Sequence, residues 1–157
     1  KLVQPLKQQL MRSKLSEWYE IGFRCKKTME DGTSKFVTEQ YVVEAMSFSE
    51  AEKNIVSEMK EYVSGPYEVK TIKKTVYKEV FFSDEDKDDK WYKAKLQFII
   101  LDEKSGKEKR SNVVYLIQSA SLDKACKSID KIMSSTMTEY NSMSLQETKV
   151  IEVFELK

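Results

Sequence analysis

Trp18, Arg24 and Lys26 share one parity along the stretch WYEIGFRCKK, as do Trp91, Lys93 and Lys95 along WYKAKLQ. In an extended chain, residues of one parity lie on one face. Such a face pairs aromatic rings with positive charge. That combination holds single-stranded nucleic acid, the rings stacking on bases while the cations follow phosphates. The stretch VKTIKKTVYK, Val69 to Lys78, adds Lys70 and Lys73 around Tyr77, completing the candidate binding residues. Against this stands an ordinary structural reading. Lysines alternating with β-branched residues make a solvent-facing strand, edge lysines blunt sheet-to-sheet aggregation, and tryptophans that begin a module can cap a core. On that reading the partner is a protein, and the chain is an interaction or scaffold module.

Catalytic chemistry has less to draw on. Histidine is absent, which removes the commonest general base, the usual activator of Ser or Cys and the commonest zinc ligand. Glu68-Val69-Lys70 has the E-x-K form of metal-dependent nucleases, in which the carboxylate holds magnesium and the lysine steadies a water. No upstream aspartate on a neighbouring strand is evident, and the corresponding later segment reads Asn141-Ser142-Met143. Asp84, Glu85, Asp86, Asp88 and Asp89 lack the glycine and the terminal glutamate spacing of a calcium loop. There is no Walker loop, GxGxxG or GxSxG, and 4 glycines nearly exclude a phosphate-cradling loop. The expectation is a non-enzymatic binding protein with no cofactor and no metal.

The elements that carry these residues repeat. Trp18-Tyr19 falls on Trp91-Tyr92 at a shift of 73, and after the first turn the shift becomes 74. Tyr41, Val43, Ser47, Ala51, Ile55 and Met59 then meet Tyr115, Ile117, Ser121, Ala125, Ile129 and Met133. Past the helix the shift returns to 73, placing Tyr67, Thr75, Glu79, Val80 and Phe81 on Tyr140, Thr148, Glu152, Val153 and Phe154. Two compensating indels in loops are what drift after duplication leaves. Within a copy, Tyr19, Ile21, Phe23 and Cys25 alternate with more polar residues, as a half-buried strand requires. Asp31-Gly32 and Ser105-Gly106 mark hairpin turns. Ser47 and Glu50 form a capping box ahead of a stripe of Phe48, Ala51, Ile55, Met59 and Val63. The second helix repeats the stripe with Leu122, Ala125, Ile129, Met133 and Met137. The methionines read as core rather than as a binding groove. The last strands are expected near Tyr67 to Phe82 and Tyr140 to Phe154.

The predicted fold is α+β, a tandem duplication of a β-β-α-β module with antiparallel sheets, one helix per repeat and pseudo-twofold symmetry. Residues 1–17 form a basic leader set apart from the fold as an extension or flexible segment, with Met11 as a possible start. Residues 18–82 are the first repeat, 83–90 a solvated acidic linker and 91–157 the second repeat, both repeats sharing one core or sheet within one domain. With 27 basic against 26 acidic side chains, the whole molecule has no field that demands nucleic acid or a membrane as partner. No apolar run approaches the length of a membrane span. Cys25 and Cys126 lie far apart in sequence and at unmatched positions of the repeat, which reads as reduced thiols in a cytoplasmic protein. The oligomeric state is left open.

The segments WYEIGFRCKKTMEDG, VVEAMSFSEAEKNI, VYKEVFFSDE, KWYKAKLQFIILDEKSGKEK and IEVFEL together resemble an uncharacterised domain-of-unknown-function family of Bacteroides-group bacteria and their phages. The resemblance covers nearly everything from Trp18 onward. It implies a bacterial or phage cytoplasmic protein and assigns no activity, ligand or catalytic residue.

Overall fold

Alternation of Tyr19, Ile21, Phe23 and Cys25 with more polar neighbours builds the first strand of a computed structural model that describes residues 15–157. Residues 1–14 of the expected leader lie outside the described residues, while Leu15 and Ser16 precede that strand and Glu17 opens it. The elements are β1 (Glu17–Thr28), β2 (Ser34–Ala45), α1 (Phe48–Met59), β3 (Tyr67–Lys74), β4 (Tyr77–Phe81), β5 (Lys90–Leu101), β6 (Glu108–Ser119), α2 (Leu122–Ser134), β7 (Glu139–Glu147) and β8 (Val150–Phe154). Both hairpins turn where expected. Gly32 and Gly106 take φ of 84° and 68°, a conformation that glycine adopts without steric cost. Ser47 Oγ accepts from the Glu50 N–H at 3.1 Å, and Ser121 Oγ from the Lys124 N–H at 3.2 Å, so both helices begin at the predicted caps.

The fold is α+β with two four-stranded sheets, ordered β3-β1-β2-β8 and β4-β6-β5-β7. This corrects the expectation of a shared sheet and of purely antiparallel pairing. Pairs β2·β8 and β4·β6 are parallel. The physical reason is a break inside each predicted last strand. The N–H and Oγ1 of Thr75 both donate to the Trp18 carbonyl, each at 2.9 Å. Those of Thr148 donate to the Trp91 carbonyl at 2.8 and 2.9 Å. The antiparallel ladder ends there. Two residues on, the chain starts a new strand in the other sheet.

The chain divides into two compact units, one running to Val76 and including Lys149–Lys157, the other Tyr77–Thr148. In the first, α1 covers one face of its sheet over Tyr19, Ile21, Phe23, Tyr41 and Val43, with Ala51, Ile55 and Met59 as the helix contribution. In the second, Ile129 and Met133 of α2 pack with Phe81, Ala94, Leu96, Val113 and Ile117. Met59 and Met133 are buried, as predicted, whereas Met137 lies beyond the end of α2 with φ of 56° and is 96% exposed, which corrects its place in the stripe. Pairing registers correspond position by position. Glu17 faces Ala45 where Lys90 faces Ser119, and the β1·β3 bulge at Lys70 recurs at Met143 in β5·β7.

Candidate functional site

Each helix covers one face of its sheet, and among the described residues no helix lies on the other. On the helix-free face of the first sheet, Lys26 lies directly opposite Phe36 in the β1·β2 register, with Arg24 one pair further along. The Arg24 guanidinium sits 4.6 Å from the centre of the Phe36 ring and Lys26 Nζ 6.0 Å from it, while the ring remains 42% exposed. Both cations are within cation–π range. Along the same face Glu20, Gln40, Thr71, Lys73, Lys149 and Val150 line a shallow hollow of about 400 Å³. Lys73 Nζ lies 3.4 Å from a Glu20 oxygen, both close to solvent. Between them Gly22 donates its N–H to Thr71 Oγ1 at 3.2 Å. A Cβ at Gly22 would stand 2.6 Å from that oxygen, so the close approach of β3 needs glycine here.

The helix-free face of the second sheet carries Lys93 and Lys95, opposite Leu116 and Val114. Beside them Gln97 Oε1 accepts from Arg110 at 3.0 Å and from Asn141 at 3.4 Å, and Gln97 Nε2 donates to Asn112 Oδ1 at 3.4 Å. Three cations and three amides share this face, and Glu108, 3.8 Å from Arg110, is a carboxylate at its end.

Other expected members sit elsewhere. Trp18 and Trp91 are 5% and 1% exposed, so neither ring offers a face to a base. Trp91 is packed edge-on by Phe82, with centroids 5.4 Å apart, and its Nε1 has no hydrogen-bond partner. The alternation predicts one buried and one open face. Toward the start of β1 and β5 both faces are in fact buried, as the fully buried neighbours Val42 and Leu116 show. Lys70 is the exposed bulge residue of an edge strand. Tyr77 opens β4 and belongs to the other unit, so the predicted cluster with Lys70 and Lys73 is divided.

The acidic segment also departs from a solvated linker. Asp88 is 3% exposed. Lys124 Nζ donates to Asp88 Oδ1 at 2.6 Å and to Glu85 Oε2 at 2.7 Å, and Ser83 Oγ donates to Asp88 Oδ2. Burial pushes the Asp88 carboxyl up, but the bonds from Lys124 and Ser83 outweigh it and leave the group below its ordinary value. The Lys124 bond holds Glu85 down at about 2.

Sequence reasoning missed one cavity, a hollow of about 370 Å³ in the first unit lined by Lys27, Tyr41, Met59, Tyr62, Val63, Ile151, Glu152 and Phe154. Tyr41 and Phe154 stack with centroids 6.1 Å apart at 22°. Tyr41 Oη donates to Glu39 Oε1 at 3.2 Å, and Lys27 Nζ lies 2.6 Å from the same oxygen. Burial, and then the charge of Glu39, push the Tyr41 phenol far up. Burial also raises the Glu152 carboxyl. The signal was present in the doubled tripeptide Glu-Val-Phe, 79–81 and 152–154, with a tyrosine at 115 and 41. It reads as core pattern until β8 is known to lie beside β2.

Among the described residues, no helix is long and apolar enough to cross a membrane. No curated protein matches the chain, and no solved structure matches it. The family model described as Domain of unknown function (DUF4494) matches residues 17–156, which takes in every strand and helix above, and the chain belongs to that family.

Proposed function

We propose that the protein is a non-enzymatic binding protein that holds single-stranded nucleic acid on its helix-free sheet faces. The observation that carries this reading is the half-exposed Phe36 ring flanked by Arg24 and Lys26 on such a face. Phe36 takes the stacking role first expected of the tryptophans. Lys73 and Lys149 continue the positive charge along the first face. Lys93, Lys95 and Arg110, with amides able to bond bases or phosphates, supply the second.

Two further elements belong to this reading. The units descend from one duplicated ββαββ module, supported by matched registers, matched bulges and the paired Thr75–Trp18 and Thr148–Trp91 clasps. The protein works in the cytoplasm, supported by Cys25 and Cys126 both being free thiols.

The test is fluorescence anisotropy of a labelled mixed-sequence single strand of about 30 nucleotides, titrated at low and moderate salt. Saturable binding that weakens with salt is expected, and Phe36→Ala should weaken it about fivefold or more, as loss of one stacked base does. Arg24→Gln with Lys26→Gln should reduce both affinity and salt slope. Absence of binding at low salt removes nucleic acid and leaves a protein partner.

A further inference from the structure

The hollow beside β8 has a chemistry of its own. Three aromatic residues, Tyr41, Tyr62 and Phe154, line it together with the apolar side chains of Met59, Val63 and Ile151. Its charged groups do not balance. Lys27 is matched by Glu39 at 2.6 Å, whereas no lysine or arginine among the described residues forms an ion pair with Glu152. Counting Glu39, which holds Lys27, two carboxyl groups stand at the hollow against one cation. α1 ends here: the N–H groups of Tyr62 and Val63 both donate to the Met59 carbonyl, at 3.0 and 3.1 Å, which swings these two side chains over the cavity. The C-terminal end of a helix adds partial negative charge. The second unit keeps Glu79, Phe81, Tyr115 and Met133 at the matching positions. There Phe81 and Tyr115 meet edge-on at 78°, and Thr136 stands in place of Tyr62.

We propose that this hollow binds an alkylammonium group, whose charge faces Glu152 and the aromatic rings while its alkyl stem lies on Met59, Val63 and Ile151. Ring faces attract cations, most strongly where water is displaced, and a nearby carboxylate adds to that attraction. A primary ammonium has three N–H donors to satisfy, whereas the hollow sets one carboxyl group among aromatic and apolar side chains, so a methylated ammonium fits best. Two sources carry this chemistry, a free organic cation and a methylated lysine of a peptide.

The test is calorimetric titration of the full chain with butyltrimethylammonium and with 3,3-dimethylbutyl ethyl ether, a neutral probe of similar shape. The cation is expected to bind saturably, and the neutral probe about tenfold or more weaker. Glu152→Gln should weaken the cation several-fold while leaving the neutral probe unchanged. Tyr62→Ala gives an independent check, because Tyr62 is 73% exposed and its loss spares the core. A short peptide carrying trimethyllysine separates the sources: binding much tighter than the free cation identifies a peptide, and equal binding identifies a small organic cation. Equal affinity for charged and neutral probes overturns the proposal. So does a folded Glu152→Gln or Tyr62→Ala variant that binds the cation as the parent does.

Discussion

Lys124 sits between Asp88, which is buried, and Glu85, which is at the surface, and the two carboxylates have different energetic weight. Removing the cation by Lys124→Met strands Asp88 with Ser83 as its remaining donor, and is expected to destabilise the protein by roughly 2–3 kcal/mol in chemical denaturation. The pH dependence has a definite sign. Both carboxyls are held below their ordinary values, so the folded state resists protonation more than the unfolded chain does. Their contribution is complete above the ordinary carboxylate range and is lost as pH falls toward about 2, the value to which Glu85 is held. The stability gap between parent and Lys124→Met should therefore be flat around neutrality and close as pH drops below about 4.5. Trp91 makes a second prediction at this scale. It is among the largest fully buried side chains, so Trp91→Ala should cost about 3–5 kcal/mol. Full stability of that variant would restore the surface role first read from its parity.

At the scale of elements, the hairpins, both helices and their caps were legible because each is specified locally, by Gly32 and Gly106, Ser47 and Ser121, and the apolar stripes. The strand exchange was not. Val69 to Phe82 is one unbroken β-type pattern, and nothing in its periodicity reveals that the chain leaves one sheet at Thr75-Val76 and enters another at Tyr77. Consecutive apolar residues, Tyr41-Val42-Val43 and Tyr115-Leu116-Ile117, were the readable hint that β2 and β6 are buried on both faces. The candidate face was half legible. Arg24 and Lys26 were found by parity, while Phe36 was overlooked because it belongs to the partner strand and its place depends on register. Thr75 and Thr148 carry the element-scale prediction. Thr75→Val and Thr148→Val each remove one side-chain bond to a tryptophan carbonyl while keeping the backbone bond. Each should cost about 1 kcal/mol, the usual net value of one hydrogen bond. Denaturant midpoints with unchanged slopes would confirm it.

At the scale of the whole molecule, sequence order and sheet membership disagree. β4 follows β3 in the chain but completes the sheet of β5, β6 and β7, and β8 follows β7 but completes the sheet of β1, β2 and β3. The ends of both exchanged strands are fastened alike. The Leu156 N–H donates to Glu44 Oε1 at 3.0 Å, and the Ser83 N–H to Gln118 Oε1 at 2.8 Å. A fragment ending at Phe82 therefore lacks β8, and with it Val153 and Phe154 beside Val42 and Val43. A fragment beginning at Ser83 lacks β4, including the fully buried Val80. Each carries an unpaired sheet edge that is an open template for strand addition. Two independent domains would fold as separate fragments. Here each fragment alone should be largely unstructured or self-associated, and mixing them should restore native circular dichroism at one-to-one stoichiometry, each supplying the other's missing strand. A fragment of residues 77–148 keeps β4 through β7, the whole of its sheet, and should fold alone where the one beginning at Ser83 does not. A fragment ending at Phe82 or beginning at Ser83 that folds alone as a monomer would show that the exchanged strands are dispensable.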